Sequence, residues 1–309
     1  MSEQGINRRR LLTSAAALGG LSLGLAAVPG LAQAASARRA ARSADTWENL
    51  ADTSSFDSWT AFNTQWEVNY PWGKYHNGAA MMDAGQLSLS GGVLTMTATR
   101  LPKSEMTSPS PPECPIWYKS GAIHAKQQII VNDQYPEYDI SGEFSVEPGV
   151  GVWPAFWTTG VNAWPPETDI LEYVGLSSDE GPVNLCNTWN STKTGQPGEK
   201  EDDAKWVTRT EVPVSDPGPF RRYRVWMTKE GNDVLLDYYV GDGDDGWVAT
   251  HKAVGWVDQP MYLILNLQMG SYASGLSEEG DPGWEDQLPA PMGDTRFRAR
   301  NVWFGRTVV

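Results

Sequence analysis

Between Trp164 and Tyr173 the chain reads WPPETDILEY, and three acids fall in it at spacing E-x-D-x-x-E: Glu167, Asp169 and Glu172. From Glu137 to Glu199 the only Lys or Arg is Lys193, so these acids have no neighbouring cation in the sequence. The residues around them are apolar and read as a strand. Strand side chains alternate, which sends Glu167 and Asp169 to one sheet face and Glu172 to the other. One extra residue, a β-bulge at Ile170-Leu171, would return Glu172 to the face of the other two. Three carboxylates in a row weaken a purely structural strand. Like charges also raise the pKa of one member, so that it stays protonated near neutral pH. A protonated and an ionised carboxyl group side by side are what glycoside hydrolysis needs.

Such a strand needs a sheet to hold it. Period-2 alternation and turn signals dominate the chain, and no segment of ten or more residues after the N-terminal region carries a convincing helical stripe. Gln86–Ser90 and Val93–Thr99 flank Gly91-Gly92, a two-residue hairpin turn of the primed type. Further strands are expected at Gly121–Val131, Tyr138–Val146, Val150–Thr158, Asp169–Val174, Val183–Trp189, Tyr223–Thr228, Val234–Val240, Trp247–His251, Tyr262–Met269 and Phe297–Phe304. So many strands in one stretch predict a single all-β domain over 46–309, a large antiparallel sandwich or barrel. No internal repeat supports a propeller.

The chain has 309 residues, 40% of them hydrophobic and 20% charged, a globular composition. Its net charge is −14, with 24 Lys and Arg against 38 Asp and Glu. Such a body repels phosphate backbones and anionic lipid, so no nucleic-acid partner is expected. All 15 Trp lie after residue 46, and Trp beyond the needs of a core suits the flat C–H faces of sugar rings. The first residues, NRRRLLTSAAALGGLSLGLAAVPGLAQA, place three Arg before a weakly apolar stretch ending at the small-x-small site Ala32-Gln33-Ala34. This reads as a bacterial export signal over 1–34, with Arg8-Arg9 and Leu11-Leu12 resembling the twin-arginine type; a Sec signal is the alternative. Residues 35–45 read as a disordered leader. The mature protein is expected to be secreted, extracellular, free of the membrane and monomeric. Cys114 and Cys186 permit one disulfide in an exported chain, with two buried free thiols as the other reading. His76, His124 and His251 are far apart and show no metal-ligand spacing.

ETDILEYVG, preceded by GVWPAFWTTG and WPP, resembles glycoside hydrolase family 16 in its bulged, longer E-x-D-x-x-E form. SGAIHAK at 120–126, ILNLQMG at 264–270 and FRARNVWFG near the end resemble other strands of that family, and the similarity runs from about Trp47 to Arg306. The resemblance implies a concanavalin A-like jelly-roll sandwich of two antiparallel sheets with a substrate cleft on the concave face. It implies a secreted endo-acting retaining β-glycosidase, with Glu167 as nucleophile, Glu172 as general acid/base and Asp169 modulating Glu167. The polysaccharide would be a β-glucan or a red-algal galactan. No organic cofactor is implied. Asn301 stands where many members carry an Asp that helps bind a structural calcium ion, which argues against that ion here. Thr168 stands where Ile or Val is usual.

Around the acids, Trp153 and Trp157 share a strand face and either lie under the sugar or fill the core. Trp164 could stack on a sugar or anchor its loop. Asn187 and Trp189 could present an amide and an indole to substrate, or pack the sheet. Asn266 and Gln268 form an amide pair that wants polar partners, either substrate hydroxyls or backbone. Two rival functions share the fold: a lectin-like carbohydrate binder, which has no reason to keep three clustered carboxylates, and a transglycosylase, which shares the first chemical step.

Overall fold

The computed structural model describes residues 46–104, 106–110, 113–175, 181–190, 207–242, 246–274 and 293–309. The export signal over 1–34 and the leader over 35–45 lie outside the described residues. In chain order the strands are β1 (Thr46–Ala51), β2 (Trp66–Val68), β3 (Ala80–Met82), β4 (Leu87–Ser90), β5 (Val93–Arg100), β6 (Tyr118–Ser120), β7 (Ala122–Ala125), β8 (Glu137–Val146) and β9 (Val152–Gly160). They continue with β10 (Glu167–Glu172), β11 (Val183–Trp189), β12 (Val207–Pro213), β13 (Arg221–Glu230), β14 (Asp233–Val240), β15 (Trp247–Ala253), β16 (Met261–Met269) and β17 (Thr295–Val308). A single α-helix is described, α1 (Trp59–Gln65), seven residues long and capped by Ser58, whose side chain accepts from the Ala61 N–H at 3.1 Å.

The strands form two sheets packed face to face, a jelly-roll sandwich. One sheet has ten strands, in the order β15-β14-β13-β8-β17-β5-β6-β3, with β1 on β17 and β4 on β5. The other has seven, in the order β12-β11-β10-β9-β16-β7-β2. The ladders are antiparallel apart from the short β3–β6 pair. Gly91 and Gly92 both have positive φ, 56° and 74°, as the primed turn between β4 and β5 requires. Period-2 alternation drives the packing. Phe144 of β8 meets Phe156 of β9 across the sandwich at 4.9 Å and stacks on Phe297 of β17 at 5.5 Å, all three buried. Each such side chain contributes about 1.5–3 kcal/mol of burial.

Behind β10 the core is polar. Thr168 meets the Tyr238 hydroxyl, which also bonds Thr188 at 2.7 Å and donates to the Asn187 carbonyl at 3.0 Å. Thr188 in turn bonds His251 Nδ1 at 3.0 Å, and Thr210 bonds its Nε2 at 2.9 Å. Burial pushes His251 down to about 4, so it sits in this seam as a neutral ring. The hydroxyl at 168, where an aliphatic side chain is usual, thus ties the strand of the acids to the opposite sheet.

One expectation needs correction, and one pair of open alternatives is resolved. The strand expected over Gly121–Val131 ends at Ala125; beyond it Ile129 makes only an isolated bridge to Met261. Cys114 and Cys186 are both buried and free, so the disulfide is not formed. Cys186 lies on β11 of the seven-stranded sheet, while Cys114 sits in the connection leading into β6 of the ten-stranded sheet.

Candidate active site

The three acids come from β10. Glu167 pairs with Thr159 of β9, Asp169 with Trp157, and then Leu171 with Phe156 and Glu172 with Ala155. The register therefore slips by one residue between Asp169 and Leu171, which is the bulge expected at Ile170-Leu171. Residues 155, 157 and 159 share one face of β9, so their partners Glu172, Asp169 and Glu167 share one face of β10. All three are buried, at 4%, 4% and 8% exposure for Glu167, Asp169 and Glu172.

Each carboxyl group receives an indole N–H. Trp164 donates to Glu167 Oε2 at 3.0 Å, Trp189 to Asp169 Oδ2 at 3.3 Å, and Trp153 to Glu172 Oε1 at 2.9 Å. Indole donates and cannot accept, so these rings spend their edges on the acids and leave only their faces for sugar. Asn187 of β11 supplies one amide nitrogen to two acids, Asp169 Oδ2 at 2.9 Å and Glu172 Oε2 at 2.8 Å. Its own oxygen accepts from Arg209 Nε at 2.8 Å.

Burial pushes Glu172 up to about 8. The charge of Asp169 pushes the same way and that of Glu167 adds to it, while the Trp153 hydrogen bond and the Arg209 charge pull downward. Glu172 therefore holds its proton at neutral pH, as an acid catalyst must.

The cleft above the acids is lined by His76, Trp153, Ala155, Trp157, Asn266 and Gln268 besides the carboxyl groups, with an empty volume of ≈ 310 Å³ counting its open mouth. Trp157 donates to Asn266 Oδ1 at 2.7 Å and stacks on His76 at 5.5 Å. Gln268 reaches the cleft, but its polar atoms serve the chain at 76–80. Its Oε1 accepts from the Ala80 N–H at 3.1 Å and the Met269 N–H at 2.9 Å, and its Nε2 donates to the His76 carbonyl. The fit is close enough that a Cβ on Gly78 would come within 2.5 Å of Gln268 Cδ.

The structure thus brings together Glu167, Asp169, Glu172, Trp153, Trp157, Asn266 and Gln268 around the cleft. Trp164, Asn187 and Trp189 contact its acids directly. Sequence reasoning missed His76, Trp72 and Arg209. Trp72 stacks on Tyr70 at 5.3 Å, approaches His76 at 5.1 Å and is 46% exposed. The aromatic density of YPWGKYH was the available signal for the first two. His124 stays outside, with Nδ1 against the Asn69 carbonyl at 2.9 Å.

Among the described residues no group of three or more His, Cys, Asp and Glu could hold a metal. At the position of the family's calcium ligand, Asn301 donates to Glu143 Oε1 at 2.7 Å and Arg300 holds Oε2 at 2.8 Å. Donors on both carboxylate oxygens do not fit a cation there. Among the described residues no helix is long and apolar enough to cross a membrane.

A sandwich presenting three buried carboxyl groups on one strand face, one of them pushed up by its burial, has the arrangement that glycoside hydrolysis uses. No family model matches the chain. It is 37% identical over 254 residues to a galactan endo-beta-1,3-galactanase of Flammulina velutipes, covering 81% of this chain and 88% of that protein. In fold it is similar to an endo-1,3-beta-glucanase from Streptomyces sioyaensis, with TM-score 0.57, 18% identity and coverage of 80% of this chain and 91% of that one. It is also similar to porphyranase B from Zobellia galactanivorans, with TM-score 0.56, 16% identity and coverage of 86% and 94%. The chain belongs to glycoside hydrolase family 16 and is a glycosidase.

Proposed function

We propose that this protein is an endo-acting, retaining β-glycosidase whose polysaccharide is a β-1,3-linked galactan. The substrate assignment is supported by the Flammulina velutipes relative, which is named for that activity and is aligned over most of its length. The mechanism rests on one observation, the placing of the three acids on one strand face in one cleft, where burial and the Asp169 charge push Glu172 up.

In the first step a Glu167 oxygen bonds to the anomeric carbon as the glycosidic C–O bond breaks. The Glu172 proton passes to the departing oxygen. Glu172, now a carboxylate, then takes a proton from water, whose oxygen attacks the anomeric carbon and frees Glu167. Asp169 sits between them and shares the Asn187 amide with Glu172. Both proton-transfer and nucleophilic roles fall to side chains, so the reaction as drawn calls on no cofactor. Arg8-Arg9 and the Ala32-Gln33-Ala34 site support export of the mature chain.

Two experiments test the proposal. Turnover of β-1,3-galactan, laminarin, lichenan, agarose and carrageenan should be fastest on the galactan, with oligosaccharides as early products; laminarin as the best substrate would overturn the substrate. With an activated aryl glycoside, Glu172→Gln plus azide should give the β-glycosyl azide, because the covalent intermediate still forms on Glu167. Glu167→Gln plus azide should give the α anomer. The reverse pattern exchanges the two roles, and full activity in either variant removes them.

A further inference from the structure

Across the floor of the cleft, one row of paired residues runs from β12 to β9: Arg209 beside Asn187, Asn187 beside Asp169, and Asp169 beside Trp157. Within that row the chemistry of each group fixes that of the next. A guanidinium has donors only, so the Asn187 atom it touches at 2.8 Å must be the carbonyl oxygen. The amide nitrogen then faces the acids, with one hydrogen for Asp169 and one for Glu172. Turned the other way, the amide would offer an acceptor to two acids and leave Arg209 facing an NH2 group. Asn187 is fully buried, so it has no water with which to compensate.

We propose that Arg209 is a positioning residue for catalysis: through Asn187 it locks a single amide as a bridge between Asp169 and Glu172. This rests on the reading of Glu172 as the acid/base. The bridge favours the ionised form of Glu172, because an N–H donated to a carboxylate stabilises the charge. It therefore limits how tightly the acid holds its proton and readies it to act as base in the second step. Among the described residues, the titratable and charged groups facing Glu172 are Asp169 and Glu167 on its own strand, Arg209 on β12 and His76 across the cleft. Trp153, Asn187 and Asn266, from β9, β11 and β16, are uncharged. Arg209 is thus the one permanent cation among these described neighbours.

The test is Arg209→Met and Arg209→Lys in the full mature chain, with carboxyl 13C NMR titration of Glu172, assigned by the signal lost in Glu172→Gln. In Arg209→Met the Glu172 midpoint should rise by about half a unit or more, and kcat on polysaccharide should fall by up to roughly 100-fold, the cost of misplacing a reacting group by about 1 Å. Arg209→Lys restores the charge without the fixed fork and should recover part of both. If Arg209→Met does not fold, the same upward direction is read in Arg209→Lys. A wild-type midpoint in whichever variant folds overturns the proposal. The titration needs no turnover: a shifted midpoint in a protein inactive on every polysaccharide would defeat the glycosidase reading alone, and activity without a shift would defeat this one.

Discussion

The acids of this protein are held in two opposite ways. On the ten-stranded sheet they meet arginines directly. Asp139 forms a two-pronged pair with Arg224, at 2.6 and 2.7 Å, Glu143 meets Arg300 at 2.7 Å, Glu147 meets Arg298 at 3.0 Å and Glu48 meets Arg306 at 2.8 Å. In the cleft of the seven-stranded sheet the acids take hydrogen bonds from neutral donors, three indoles and one amide, and Arg209 reaches them through Asn187. The consequence shows in protonation. Burial works against Glu143, yet Asn301 and Arg300 hold its carboxyl below the usual range. Burial pushes Glu172 up, and the Trp153 hydrogen bond and the Arg209 charge offset it only in part. A direct cation fixes an acid as an anion and spends it on structure. Neutral donors hold an acid in place and leave its proton negotiable.

Exchanging function and stability between the two regions should break this contrast most visibly. Glu172→Gln should lower kcat on polysaccharide by about 10²–10⁴-fold, the span of general acid/base catalysis, while thermal unfolding shows no loss of stability. Asp139→Leu should do the reverse. It strands a buried Arg224, which lies over Trp226 at 4.9 Å and Tyr239 at 5.0 Å. The expected cost is about 3–5 kcal/mol of stability in denaturant unfolding, with kcat per folded molecule unchanged. Stability loss in Glu172→Gln as large as in Asp139→Leu would erase the distinction.

How much of this was legible in the sequence differs between backbone and side chain. Alternation and the cost of clustered like charges sufficed to place the three acids on one face and to locate the bulge. Val183–Trp189 was bounded correctly because turn residues close both ends. β12 was missed because VTRTEVP is a polar, half-exposed edge strand without an apolar stripe, and the missed Arg209 lies on it. β1 was missed because it follows directly on the basic leader. The Trp residues were legible as residues of the site but not in orientation: a ring shows sequence reasoning its face, whereas the partner of its N–H depends on the fold. Gln268 was legible as wanting polar partners, and those partners are backbone groups of a loop far away in sequence.

The pH dependence sharpens the contrast at intermediate size. As the proposed acid, Glu172 acts in its protonated form, so kcat/KM should fall as pH rises through about 8. The sign for stability follows. The folded value lies above the unfolded 4.5, so the contribution of Glu172 is complete below 4.5 and is lost as pH rises to about 8. Glu172→Gln, which never ionises, should therefore gain in Tm over wild type as pH is raised from 4.5 to 8, a window taken from the same two values. A Tm difference that stays flat across that window would mean that Glu172 is already ionised.

The smallest expected effect isolates a single neutral donor. Trp153→Phe keeps the ring against the cleft and removes only the N–H that reaches Glu172 Oε1 at 2.9 Å. That donor stabilises the carboxylate more than the acid, so its loss should move the alkaline limb of kcat/KM upward by about half a unit to one unit, equivalent to roughly 0.7–1.4 kcal/mol. The matching change on the other sheet is Arg300→Met, which removes a contact of the same length class from Glu143. It should leave the alkaline limb in place, because Glu143 is no part of the cleft, and cost about 1 kcal/mol or less, since that pair is largely open to solvent. A limb that moves down in Trp153→Phe would mean that the indole stabilises the protonated acid instead, and that neutral donors in this cleft do not leave the proton free to move.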